Sequence, residues 1–381
     1  MEMDVFQKLR RQLDNYAFGY PQTKSGVEME ILKLMFTEEE AVIFTSMTAE
    51  LEEPAAAAAR IGKPVEEIAG RLEDMAVKGL LFRRRTGDVV EYCTNPYLHG
   101  LYEFQIPRLG KKLVKLTGQY INEVYKHNMA QGMRPFIRTI PIEDSIEKEN
   151  YVTPYEDARK ILQEADLIVV TKCACRQGLS LFGMDCGQPQ EVCFMFGPMG
   201  QYYIDNGWGR KVEVEEATRI LEMANKSGLI TQAATSKKPF DMCNCCVDCC
   251  GFLRAVSKTE NPAELVFSNY LVAVDRDKCN GCGACEKRCG MKAISMSEAD
   301  GKADLNLHRC IGCGLCVTTC PVKARSLEPK KGKPGIPYED TAEQFKQIVQ
   351  GRGIKEVLPE NIISFGFKSN VPEENKLETT K

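Results

Sequence analysis

The sequence predicts an α+β chain built of several units. Three observations lead there. Capped, amphipathic helical stretches follow one another through residues 28–79 and end in a short hairpin. Between 155 and 264, apolar strand-like runs alternate with helical ones. From residue 279 onward, a cysteine pattern repeats at an offset of 31 residues. Composition agrees with packed cores: of 381 residues, 43% are hydrophobic and 27% charged. Lys+Arg number 50 and Asp+Glu 53, a formal net charge of −3, which argues against a global polyanion-binding surface. No apolar run reaches the ~18 residues of a membrane span. The charged N-terminus, MEMDVFQKLRRQLDN, lacks an apolar signal core, so a cytoplasmic, reducing location is expected. The outlier is cysteine: 18 of them beside only 3 His. In a reducing compartment thiols serve as ligands more than as staples. Only Cys93 lies outside residues 173–320.

Along the chain, residues 1–24 read as a polar lead-in. Residues 25–105 read as a helical unit closed by a hairpin. EMEILKLMF (28–36) spaces its apolar residues helically. Thr37, followed by three glutamates, is a capping sequence: its hydroxyl accepts an orphan N–H while Glu40 reaches back. PAAAAAR (54–60) ends at Gly62. PVEEIAGRLEDMAVKG (64–79) opens on proline, aligns Val65, Ile68, Leu72, Met75 and Ala76, and stops at Gly79. LLFRRR and VVEYC, joined at Thr86-Gly87-Asp88, read as hairpin strands, with Cys93 a small hydrophobe. This element order resembles a winged helix-turn-helix. Residues 106–154 read as a helical linker whose helix is KKLVKLTGQYINEVYKHNM; Pro135, Pro141 and Pro154 punctuate the chain beyond that helix. Residues 155–264 form a cysteine-rich α/β module, 265–328 a second cysteine module, and 329–381 a tail. TAEQFKQIVQ in the tail is a docking helix, and PEENKLETTK reads as disordered.

The repeat carries the strongest chemical signal. CNGCGACEKRCGMKAISM (279–296) aligns with CIGCGLCVTTCPVKARSL (310–327), each reading C-x2-C-x2-C-x3-C. Three thiolates two residues apart on a tight loop reach three corners of one iron–sulfur cube; the fourth, on the following turn, points toward the other cube. Gly281, Gly283, Gly312 and Gly314 let the backbone turn closely around inorganic sulfide. The segment resembles the two-cluster [4Fe–4S] ferredoxin fold. That resemblance implies one cluster on Cys279, Cys282, Cys285 and Cys320, and the other on Cys310, Cys313, Cys316 and Cys289. Two positions depart from it. Gly290 follows Cys289 where the family usually has Pro, although Pro321 is kept. Ile294 of the first half becomes Arg325 in the second. These changes are expected to alter packing and reduction potential, not ligation. Tetrahedral zinc is the alternative occupant, and the doubled spacing with interleaved glycines argues against it.

Nine more cysteines, Cys173, Cys175, Cys186, Cys193, Cys243, Cys245, Cys246, Cys249 and Cys250, lie within residues 173–250. Cys173 and Cys175 follow the strand-like LIVV and face one side if the strand continues. Cys243, Cys246 and Cys249 repeat C-x2-C-x2-C and suit one cube with a fourth ligand from elsewhere. Cys245 and Cys250 then serve a second site with upstream thiols. The count permits one or two further iron–sulfur clusters, with structural zinc or dithiol chemistry as alternatives. The pattern CxCR…C…C…CNCC…CC ahead of the repeat resembles a family of iron–sulfur proteins of anaerobes, which implies clusters and leaves the substrate open. Arg176 is either a cation beside these thiolates or an ordinary surface residue.

No nucleotide-cofactor signature, G-x-S-x-G or H-E-x-x-H is visible, and His99, His127 and His308 read as packed or surface residues. The expected function is therefore an electron-transfer protein, or oxidoreductase subunit, relaying single electrons through [4Fe–4S] clusters between redox partner proteins. No catalytic residue is assigned. One alternative is a redox-sensing winged-helix transcription regulator. Glu66, Glu67, Glu73 and Asp74 outweigh Arg71 and Lys78 on its would-be recognition helix, which disfavours nucleic acid, although Arg83, Arg84 and Arg85 make the wing basic. The other alternative is a reductase with a substrate-reducing cluster in the first cysteine module.

Overall fold

The structure is a computed structural model that describes residues 3–130, 136–142, 145–146, 156–331, 335–354, 357–358 and 361–367. Pro135, Pro154 and PEENKLETTK lie outside the described residues.

The first helix, α1 (Val5–Asp14), occupies the stretch read as a polar lead-in. Asp4 and Gln7 close a capping box, and Phe6, Leu9 and Leu13 are buried. Those three residues recur at helical spacing behind the Asp4–Gln7 start, a helix signal that the polar composition of the segment outweighs in the sequence reading. Then come α2 (Val27–Met35), α3 (Glu38–Ser46), α4 (Pro54–Ile61) and α5 (Val65–Val77). Thr37 and Glu40 make the reciprocal capping bonds that start α3. The hairpin β1 (Phe82–Thr86) and β2 (Val89–Cys93) pairs Thr86 with Val89 across a tight turn, and Glu52 bridges Tyr92 beside it. Its arginines are engaged within the chain. Buried Arg83 pairs with Glu73, Arg84 with Glu91 at 2.6 Å, and Arg85 with Glu73 at 2.8 Å.

After α6 (Lys111–Ala130) the chain builds an antiparallel six-stranded sheet. Its elements are β3 (Ile137–Thr139), α7 (Ala158–Glu164), β4 (Ile168–Lys172), α8 (Ala174–Ser180), β5 (Glu191–Phe196), α9 (Gly197–Asp205), β6 (Gly209–Lys211), α10 (Val214–Ser227), β7 (Ile230–Ala234) and β8 (Asp241–Cys245). Strand order is β3-β7-β8-β5-β4-β6. Alternation divides its side chains between two cores. Ile168, Val170, Phe194 and Met242 pack with α7 and α10. Val169, Cys193 and Met195 face the other way, into a cluster continuous with the N-terminal helices. The Tyr202 hydroxyl of α9 fastens that junction by donating to the carbonyls of Ala76 and Leu81, both at 2.8 Å.

The last third contains α11 (Gly251–Ser257), α12 (Pro262–Leu265), β9 (Tyr270–Val274), α13 (Ala284–Arg288), β10 (Ile294–Met296), β11 (Ala303–Leu305), α14 (Leu315–Thr318), β12 (Arg325–Pro329) and α15 (Thr341–Gly351). Two antiparallel pairs, β9 with β12 and β10 with β11, flank the cysteine repeat. Helix α15 buries Phe345, Ile348 and Val349, and Arg352 just beyond it binds Asp14 at 2.7 Å. Among the described residues no helix is long and apolar enough to cross a membrane.

Candidate functional site

The repeat in sequence is a repeat in space. Cys279, Cys282, Cys285 and Cys320 line one pocket; Cys289, Cys310, Cys313 and Cys316 line another. Each pocket thus receives three sulfurs from one half and one from the other. The backbone keeps the symmetry: Lys292 and Lys323 share left-handed φ of 53° and 50°. Ala293 N–H donates to Cys289 Sγ, and Ala324 N–H to Cys320 Sγ, both at 3.2 Å. Gly281 and Gly312 are left-handed as well, and a Cβ there would come within 2.6 Å of the Gly301 carbonyl or 2.4 Å of the Tyr270 carbonyl. Buried Arg325 lines the first pocket, and its Nη1 and Nη2 make no hydrogen bond. Sulfur-directed N–H groups, close-turning glycines and an uncommitted buried cation fit an anionic thiolate-bound group.

The two pockets differ in surroundings. Cys282 is exposed, and N–H groups of Ala303 and Gly281 hold the Cys279 thiol below its ordinary range. In the second pocket burial pushes the Cys313 thiol up to about 12. Ile230, Met291, Ile311 and Leu315 line that pocket. Gly290, which departs from the proline that the ferredoxin resemblance leads one to expect, meets a tight contact here. A Cβ on it would lie 2.7 Å from Val247 Cγ1, which belongs to the cysteine turn of the middle module.

In the middle module the structure sorts the nine cysteines six and three. Thiol contacts run from Cys173 to Cys175, Cys250, Cys245, Cys243, Cys193 and back to Cys173, a closed ring. Cys186, Cys246 and Cys249 form a separate group with all sulfurs within 4.8 Å of one another. Cys243 thus stands apart from Cys246 and Cys249, which the C-x2-C-x2-C spacing grouped together. Cys243 lies on strand β8, whose alternation sends Asp241, Cys243 and Cys245 toward the ring while Met242 and Cys246 join the opposite core. The strand before Cys173 does not continue either. Cys173 is the N-cap of α8, and the helical turn brings Cys175 beside it. Thiol donation from Cys175 and Cys193 holds Cys173 well below its ordinary range, and donation from Cys175 and Cys245 does the same for Cys250.

Arg176 is buried, not a surface residue. Its Nη1 donates to the Asn244 carbonyl at 3.0 Å, while Nε and Nη2 have no partner. Burial opposes its charge, but neighbouring Cys173, Cys193, Cys245 and Cys246 raise its pKa. The ring borders a cavity of about 160 Å³. His99, missed in the sequence because no motif surrounds it, faces this cavity, with Nδ1 3.0 Å from Asp241 Oδ2. Burial opposes its protonation, but the Asp241 carboxylate outweighs burial and raises its pKa. Half-buried Glu103 lines the same space. Cys93 sits fully buried in the N-terminal core, away from both groups.

Residues 278–324 match the family model of the 4Fe-4S dicluster domain. Comparison with curated proteins and with solved structures gives no match. The chain thus contains an iron–sulfur domain of ferredoxin type, with iron–sulfur groups as cofactors and electron transfer as its chemistry.

Proposed function

We propose that the protein relays single electrons between protein partners, as a carrier or as the electron-transfer subunit of an oxidoreductase. One [4Fe–4S] cluster is held by Cys279, Cys282, Cys285 and Cys320, and a second by Cys310, Cys313, Cys316 and Cys289. The observation that carries this is the exchange of the fourth cysteine between two equivalent pockets. A further iron–sulfur group is assigned to the ring of Cys173, Cys175, Cys193, Cys243, Cys245 and Cys250. No three of its sulfurs lie mutually within 4.8 Å, so the ring suits a polynuclear group better than one ion. Cys245, Cys250, Cys289 and Cys313 share one apolar cluster, which supports a path between ring and second pocket. The exposure of Cys282 supports the first pocket as the partner-facing end. The residue-25 to residue-105 unit, winged-helix-like in element order, serves protein contacts. Its wing arginines already carry carboxylate partners, which weighs against phosphate binding and so against a DNA-binding regulator. A reducing cytoplasm suits this many thiols.

Protein purified without air is expected to be brown, with iron and acid-labile sulfide each at or above about eight per chain. Two zinc ions and no sulfide would overturn the reading.

The cavity favours a second reading, a reductase acting at the ring. His99, paired with the Asp241 carboxylate, and Glu103 set titratable groups beside the six thiols. A small disulfide that perturbs the ring's spectrum, with the effect weakened in His99→Gln, supports it. An unchanged spectrum leaves the relay alone.

A further inference from the structure

The group of Cys186, Cys246 and Cys249 does not belong to the ring, and its geometry is of another kind. The Cys186 and Cys246 sulfurs are 3.8 Å apart, and all three lie mutually within 4.8 Å. Tetrahedral zinc with Zn–S of ~2.3 Å separates its sulfurs by ~3.8 Å. A cube places each thiolate on a different iron and so holds them farther apart. Among the described residues, no other three cysteines meet this spacing, those of the two dicluster pockets included.

The local chain agrees. Cys246-Val247-Asp248-Cys249 is a C-x2-C turn, the short ligand spacing of zinc sites. Cys250 N–H closes the turn on the Cys246 carbonyl at 3.0 Å. Cys186 arrives from the irregular segment between α8 and β5, where Phe182 and Met184 stay exposed. That segment has little apolar packing to fix it, and a shared ion would tie it to the turn.

The geometry points to a mononuclear site for a zinc-class cation on Cys186, Cys246 and Cys249, with its fourth position left for an exchangeable ligand, water when nothing else is supplied. No fourth His, Cys, Asp or Glu joins the group among the described residues. Residues 183–185 and Gly187 beside Cys186 are exposed, so the fourth position is reachable from solvent. Three protein ligands with an open position is the donor count of zinc sites that bind and activate an outside ligand; structural sites take four. The site uses three of the nine thiols and does not depend on the dicluster assignment.

The test is metal analysis of the full-length protein prepared without air, comparing wild type with Cys186→Ser. About one zinc per chain is expected in wild type and almost none in the variant, with iron and sulfide unchanged. A loss of about four iron in Cys186→Ser would assign the group to a cluster instead. Zinc absent from wild type, or unchanged in the variant, would overturn the site, as would a Cys186–Cys246 disulfide in its place. Should the variant not fold, X-ray absorption at the zinc edge of wild type decides: three sulfurs at ~2.3 Å with one lighter ligand support the site, and any other set refutes it. Failure of the dicluster reading would show in iron and sulfide, not in zinc.

Discussion

The dicluster domain and the middle module both gather thiols, but by opposite means. In the first, three cysteines of each pocket come from one seven-residue run, 279–285 or 310–316, and the fourth from the companion half. In the second, the six-thiol ring draws on the N-terminal end of α8, on β5, on β8 and on the residue before α11. Local turns build the first, and only a finished sheet builds the second. The difference teaches where the fold gets its stability. The dicluster pockets sit among short strand pairs and one-turn helices. The ring lies against a six-stranded sheet with extensive cores on both faces. A small unit with little core depends on its metal; a well-packed sheet does not.

Removal of the iron by chelation is expected to have the largest effect and to act unequally. Backbone amides of residues 265–328 should lose hydrogen-exchange protection, while strands β4, β5 and β8 keep theirs. Equal loss in both regions would show that the sheet depends on its metal as much as the small unit does. Next in size is Gly290→Ala, which probes the contact between the two regions. Its Cβ has no room beside Val247, so a cost of about 1–3 kcal/mol is expected in denaturant unfolding. Val247→Ala should relieve most of it, and additive effects would show that the contact is not the cause. The smallest effect concerns the two pockets. Arg325 stands where the first half has Ile294; it is buried and lines the first pocket, whereas the arginines lining the second, Arg288 and Arg309, are half-buried. Loss of a cation disfavours the more negative reduced state. Arg325→Ile should therefore lower one midpoint potential by on the order of 60 mV, a tenfold change in a one-electron equilibrium. The other potential should move less, and equal shifts in a redox titration would contradict the asymmetry.

Features set within a few residues were legible from the chain alone. The Thr37 and Glu40 cap, the Gly62 stop, the hairpin at Gly87-Asp88 and the C-x2-C-x2-C run within each half of the repeat depend on neighbours close in sequence. Helix α1 was equally legible, with Phe6, Leu9 and Leu13 at helical spacing behind an Asp4–Gln7 cap; reading the segment by its polarity alone passes over it. The break after Lys172 was hidden because an apolar strand carries no signal for where a cysteine begins a helix.

Sequence by itself determined which residues are sulfur donors and the spacing that a tight turn converts into a pocket. The tertiary structure decided which distant donors meet. It parted Cys243 from Cys246, brought Cys186 across to the Cys246–Cys249 turn, and set His99 against Asp241. The physical reason is that strand alternation and sheet order, not separation along the chain, fix which side of the sheet a side chain occupies.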